Sequence, residues 1–321
     1  MGRNTIVWCM VALGTAGGDC RQPGISGAKG RYEFGIENDA GVPQQFGPVA
    51  DGGAHVLVVA DPKPSGGCSS QPAPPAFASA ASSDPTVATA TRNADGTIEV
   101  VTATAGSTDI QLLDDTGAVI DSLTIDIESV TSLAFATPGS VQVLASGTYN
   151  VDVTPTGATD EPLIGAASRI EASADGTLAN VTVTPTMVSA DAVVSFAATD
   201  RGNGTVTVTA GSLTETLVVM VVAGTDITSI ALGSGGFGPS FNPNDDTEVV
   251  WTQAVAAGGP VFGATCAWQV DPSEATLHSH APADDLGNSP LENSQFVLNG
   301  DGPFPATCTI GSAQLEVDLH R

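Results

Sequence analysis

A short phrase recurs three times in this 321-residue chain: Ser82-Ser83-Asp84-Pro85-Thr86-Val87-Ala88-Thr89, Ser173-Ala174-Asp175-Gly176-Thr177-Leu178-Ala179-Asn180 and Gln269-Val270-Asp271-Pro272-Ser273-Glu274-Ala275-Thr276. Its aspartates are 91 and 96 residues apart. A period near one hundred residues, filled by short strands and turns, is what a tandem array of small β-sandwich domains looks like in sequence. Within each phrase, Asp followed by Pro or Gly is turn chemistry, because the carboxylate caps its own backbone and Pro pre-sets φ. The Ala four residues after each Asp is expected to open the next strand.

The flanking segments carry a period of two. His55 to Ala60, Thr148 to Thr154 and Glu248 to Val255 run into the three phrases, and Gly96 to Val101, Gly204 to Thr209 and Thr307 to Ile310 follow them. Each sets β-branched residues on a half-buried pleat. One unit also hands over to the next within a few residues: Leu123 to Ile127 leads into Val130 to Leu133, and Leu217 to Val222 leads into Ile227 to Ile230. Links this short favour a semi-rigid rod over independent beads.

The pattern resembles the bacterial immunoglobulin-like domains of the intimin and invasin type (group 2). The middle unit carries the resemblance best, through Leu144-Ala145-Ser146-Gly147-Thr148, Ala172 to Ala179, Gly204 to Val208 and Val218 to Val222. Trp268 falls where that family has its core Trp, whereas Ala81 and Ala172 stand there in the first two units. The resemblance implies an all-β chain of tandem immunoglobulin-like β-sandwiches forming an elongated rod. The expected divisions are a signal peptide at 1–19 and sandwiches at 20–128, 129–224 and 225–321, the first of them divergent, with a Pro-, Gly- and Ser-rich loop at 62–75. Composition agrees: hydrophobic residues make up 41% but aromatics only 5%, which describes cores of Val, Ile, Leu and Ala.

Acidic residues outnumber basic ones 35 to 9, for a net charge of −26. Affinity for phosphate backbones rests on clustered Lys and Arg, so nucleic acid is excluded as a partner. The N-terminus reads as an export signal: Arg3, then an apolar run from Ile6 to Leu13, then small residues before Cys20. That run is too short to span a bilayer. The early cysteine resembles the acceptor of a bacterial lipoprotein, although Gly17-Gly18-Asp19-Cys20 departs from the usual Leu-Ala-Gly-Cys by its Asp. On that route Cys20 is lipidated and tethers the rod to the outer membrane or cell surface. If cleavage falls after Ala16 or Gly18 instead, the protein is secreted and Cys20 is free to pair with Cys68. In the repeat alignment Cys266 starts the strand that bears Trp268, and Cys308 lies on its neighbour in the same sheet. A disulfide between them is expected, closing a loop of about 40 residues and contributing about 3 to 4 kcal/mol in the chain-entropy model.

Candidates for chemistry are few. His278 and His280, two apart, with Asp284 and Asp285 close behind, form a possible ligand-binding cluster, but no third well-spaced ligand argues for a metal. Asn242 to Asp246 is acidic without the alternating Asp pattern of a calcium loop. Asp114-Asp115-Thr116-Gly117 reads as a hairpin turn. Nucleophile elbows, phosphate-cradling loops and zinc-protease motifs are absent from the sequence, so no enzyme is expected. The expected function is a non-catalytic, exported structural or adhesive rod, with its recognition loop at 278–293 and no cofactor. The alternative is a secreted calcium- or carbohydrate-binding module, for which Trp251, Trp268, Phe262 and Phe304 would supply stacking surfaces.

Overall fold

The computed structural model describes residues 25–37, 43–44, 47–60, 76–137, 139–185, 192–233, 240–242, 247–281, 284–286, 290–300 and 302–320. The expected signal segment, Cys20, Cys68, the Pro-rich loop at 62–75 and the acidic residues 243–246 lie outside them. Strands dominate, and among the described residues the helical elements are two 3₁₀ turns, Ala166–Arg169 and Gly224–Asp226. No described helix is long and apolar enough to cross a membrane.

The first sandwich comprises β1 (Ile25–Ser26), β2 (Glu33–Glu37), β3 (Pro43–Gln44), β4 (Val49–Ala50), β5 (Ala54–Ala60), β6 (Ser79–Ser82), β7 (Ala88–Arg92), β8 (Ile98–Thr102), β9 (Gly106–Leu113) and β10 (Val119–Glu128). One sheet runs β1-β2-β5-β8-β7, and the other runs β4-β10-β9-β6. In immunoglobulin lettering β2-β5-β8-β7 is A-B-E-D, with β1 added outside A, and the other sheet is A′-G-F-C, with A′ (β4) parallel to G (β10). Alternation along β8, with Ile98 and Val100 inside and Glu99 and Val101 outside, presses the apolar face onto Phe34, Ile110 and Leu112.

The middle sandwich repeats the plan with β11 (Ser132–Phe135), β12 (Ser140–Leu144), β13 (Thr148–Thr156), β14 (Glu171–Ala174), β15 (Leu178–Pro185), β16 (Ala192–Ala198), β17 (Gly202–Ala210) and β18 (Leu213–Val222). Its sheets are β11-β13-β16-β15 and β14-β17-β18-β12, again A-B-E-D and C-F-G-A′. The third unit contains β19 (Ser229–Leu232), β20 (Ser240–Asn242), β21 (Thr247–Ala256), β22 (Gly259–Phe262), β23 (Ala267–Val270), β24 (Ala275–Ala281), β25 (Glu292–Leu298), β26 (Phe304–Ile310) and β27 (Ala313–Leu319). Its C-F-G sheet is β23-β26-β27. Its A-B-E-D sheet, built on β21, β25 and β24, does not stop at the unit's edge. Through β22 it joins β12, so one ten-stranded sheet runs through two sandwiches.

The recurring phrase does what its chemistry requires. Asp84 accepts the N–H and hydroxyl of Thr86, Asp271 accepts the same two groups of Ser273, and buried Ala88 and Ala275 open β7 and β24. In the middle unit the strand restarts one residue sooner, at Leu178, which takes the core position expected for Ala179. The reason is Gly176, whose φ of +67° makes an Asp-Gly turn tighter than Asp-Pro. Gly96 to Val101 also differs from its supposed counterparts: it supplies strand E (β8), whereas Gly204 to Thr209 and Thr307 to Ile310 lie on F strands (β17 and β26).

Candidate functional site

The residues singled out in sequence do not assemble into one site. His278 and His280 lie on β24, the edge strand of the ten-stranded sheet, where a bulge between Leu277 and Ser279 interrupts the alternation that would aim them at one face. His280 Nδ1 stands 3.5 Å from a carboxylate oxygen of Glu292. Asp284 and Asp285 are held by their backbones against the middle unit. The carbonyl of Asp284 accepts the N–H of Asn150 at 2.8 Å, Asp285 bridges to Asn150, and Leu286 donates its N–H to the Asn150 carbonyl at 2.8 Å. Residues 284–286 of the loop expected to face a ligand are thus laid along strand B of the middle unit. Leu286, 1% exposed, enters that unit's core, and Thr137 donates its hydroxyl to the Leu286 carbonyl. Among the described residues no group of three or more His, Cys, Asp or Glu side chains is placed to hold a metal.

Cys266, one residue before β23 rather than its first residue, is joined to Cys308 on β26, with Cα atoms 5.2 Å apart. Beneath them lies a polar network that sequence gave no sign of. Glu292, 2% exposed, accepts the Cys266 N–H at 2.7 Å, and the hydroxyls of Thr252 and Ser294 at 3.4 and 3.3 Å. Burial pushes the Glu292 carboxyl above its usual range, against these hydrogen bonds and the nearby His280. Trp268 donates its indole N–H to Ser294 at 2.9 Å and meets Phe296 edge-on at 5.0 Å. Its ring is committed to the sandwich, as is Phe262, which is buried in the middle unit's core, so neither is a sugar-stacking platform.

The joints between units carry the most organised geometry in the chain, and both are built alike. In each, the A′ strand of the preceding unit is covered by the residues that follow strand B of the next. At the first joint β4 meets Ile164: Ala50 donates its N–H to the Ile164 carbonyl at 2.9 Å, and Ile164 donates to that of Pro48 at 3.1 Å. At the second, Gln142 and Val143 of β12 pair with Val261 and Phe262 of β22. Each joint also seats a ring from the start of strand B, in Gly53-Ala54-His55 and Gly147-Thr148-Tyr149, beneath a glycine of the next unit. A Cβ on Gly165 (φ +79°) would overlap the His55 imidazole, and one on Gly263 (φ +74°) would overlap the Tyr149 ring. Only glycine combines this conformation with so close an approach.

The partners of the rings differ. Tyr149 donates its hydroxyl to the Leu144 carbonyl at 2.7 Å, and burial pushes it well above the usual phenol range, so it stays protonated. His55 is 7% exposed, its Nε2 has no hydrogen-bond partner among the described residues, and burial pulls its pKa down to about 4. Arg169 and Asp51 form an ion pair across the first joint. At the second, a cleft of about 490 Å³ is lined by Gln142, Met220 and Gly258 together with Arg201 and Asp226, which pair at 2.9 Å.

No family model matches the chain, and no curated protein matches it. Solved structures similar to it include surface layer protein SbsC, domains 4–9, at 16% identity over 90% of this chain and 46% of that one, with a TM-score of 0.32. The Escherichia coli adhesin FdeC is 16% identical over 91% of this chain and 97% of that one, at 0.29. Invasin, a bacterial integrin-binding protein, is 14% identical over 90% of this chain and 60% of that one, at 0.28. The chain spans about half the length of the SbsC structure, and all three TM-scores lie below 0.5.

Proposed function

We propose that the chain is a non-catalytic, exported surface protein whose three immunoglobulin-like units, divided at 128/129 and 224/225, act as one stiff structural or adhesive rod. The observation that carries this reading is the repeated joint, in which each unit's A′ strand is closed by the unit that follows. A linker that merely connected domains would leave that edge free. Here backbone hydrogen bonds, a ring-under-glycine contact and, at the second joint, the Leu286 arm resist bending together. Paired edges also protect an exposed β-protein from edge-to-edge aggregation, and the net charge of −26 adds self-repulsion.

Membrane attachment through a lipidated Cys20 belongs to the same proposal, supported by the short apolar run and the small residues before that cysteine. Two measurements test the reading. Spin-label distances between the first and third units should form one narrow distribution, and a broad one would refute the rod. Intact mass after expression in a bacterial host and detergent partitioning should show cleavage before Cys20 with added acyl chains. A soluble, unacylated mass would replace the anchored rod with a secreted one.

A further inference from the structure

We propose that His55 makes the first joint an acid-opened hinge: when its ring takes up a proton, the first sandwich uncouples from the middle one while the second joint stays closed. The inference rests on reading the units as stiffly joined, and goes beyond it by assigning the two joints opposite responses to pH.

The geometry leaves the second ring proton nowhere to go. The imidazole already has one hydrogen bond, to the Ala50 backbone, and its Nε2 is buried without a partner. Glycines of both units crowd the ring: a Cβ on Gly165 of the middle unit would overlap it, and the nearest atoms to a Cβ at Gly53 are the Gly165 carbonyl and His55 Nε2, both at 3.3 Å. Placing a proton on Nε2 therefore buries a charged N–H that water reaches only if the segment around Gly165 lifts away.

Charged groups on the surrounding elements do not offset this. After β4, Asp51 is taken by Arg169 and by the Ser129 hydroxyl at 2.6 Å. On β8, His55 is paired with Val100, and Glu99 points to the opposite, exposed face. From the middle unit Arg169, a cation, reaches the same turn but is already committed to Asp51. The Thr102 hydroxyl is also occupied, donating to the Ala50 carbonyl at 2.6 Å.

The sign follows from linkage. With its pKa depressed from 6.5 to about 4 in the closed joint, His55 favours closure fully above 6.5, and that advantage is lost as pH falls towards 4. The open-to-closed ratio rises about tenfold per pH unit across this window, roughly 300-fold in all. Tyr149 holds the equivalent place in the second joint and has no proton to gain there.

Amide hydrogen exchange on the full chain, corrected for intrinsic rates, reads both joints at once. Protection of the Ala50 and Ile164 amides should fall about tenfold per unit from pH 6.5 towards 4.5, while that of Asn150 and Leu286 across the second joint holds. His55→Phe should abolish the first-joint response and Asp51→Asn should keep it. Should the Phe variant misfold, His55→Tyr copies the ring accepted at position 149. Protection at Ala50 and Ile164 that is high at pH 7.5 and unchanged at 4.5, or a variant at position 55 that responds like the native chain, overturns the hinge. Absent protection at pH 7.5 instead overturns the stiff joint itself.

Discussion

Asn150 and Leu286 share a backbone hydrogen bond although they belong to different sandwiches: the Leu286 N–H meets the Asn150 carbonyl at 2.8 Å, and its side chain fills the middle unit's core. A leucine lent to a neighbour's core couples the stability of both units. Leu286→Ala should cost about 2 to 5 kcal/mol, as deletion of a buried leucine does elsewhere. Denaturant unfolding should show the middle unit losing stability although the substitution lies in the third. A loss confined to the third unit would mean the arm is not seated as described.

Tyr149 and Gly263 give a sharper test, because two costs can be separated. Gly263→Ala places a side chain at φ +74°, worth about 1 to 2 kcal/mol of left-handed strain, and drives its Cβ into the Tyr149 ring. In a Tyr149→Ala background the overlap is gone and only the strain remains. The double-mutant cycle should therefore return a coupling above about 0.5 kcal/mol. Additive effects would show that the ring and the glycine do not touch.

Much of the fold was legible because it is local. The Asp114 hairpin needs only its own carboxylate, which accepts the Thr116 N–H and hydroxyl and the Ala118 N–H, so four consecutive letters sufficed. The Cys266 to Cys308 bond followed from repeat alignment, which places neighbouring strands without knowledge of side chains. The joints were not legible. Gly165 and Gly263 matter for what lies across from them, about a hundred residues away, and a lone glycine reads as an ordinary turn. Leu286 was hidden likewise: one apolar letter in a polar loop reads as recognition surface, because nothing local reveals that the middle unit leaves part of strand B uncovered.

The disulfide should act on the third unit and not on the first, with which that unit shares no joint. Its sequence separation of 42 residues corresponds to about 3 to 4 kcal/mol in the chain-entropy model. Replacing both Cys266 and Cys308 by Ala should lower the third unit's unfolding midpoint and leave the first unit's unchanged. Exchange protection at Ile310 and Phe296 compared with Ile110 would report this. Equal losses in both units would indicate a stapling effect transmitted along the rod.

Two buried carboxylates should pull the pH dependence of stability in opposite directions. Asp121 is fully buried and accepts four backbone N–H groups, from Lys29 and Ser122 on one oxygen at 2.8 and 2.9 Å, and from Arg31 and Tyr32 on the other at 2.8 and 2.9 Å. Burial alone would push its pKa up, but the four donors outweigh it and hold the group below the ordinary range. Its contribution is therefore complete above the unfolded pKa and is lost as pH falls through the folded one. For Glu292 burial wins, so its contribution is complete below the unfolded pKa and shrinks as pH rises towards the raised folded value. Asp121→Asn sets an amide N–H₂ against backbone N–H groups and should cost about 3 kcal/mol at neutral pH. It should also flatten the acid-side loss in the first unit. Glu292→Gln should instead remove the decline between the unfolded and folded pKa values in the third unit. Stability measured from pH 3 to 7 on both variants separates these effects, and an acid-side slope unchanged by Asp121→Asn would show that another group, not Asp121, sets it.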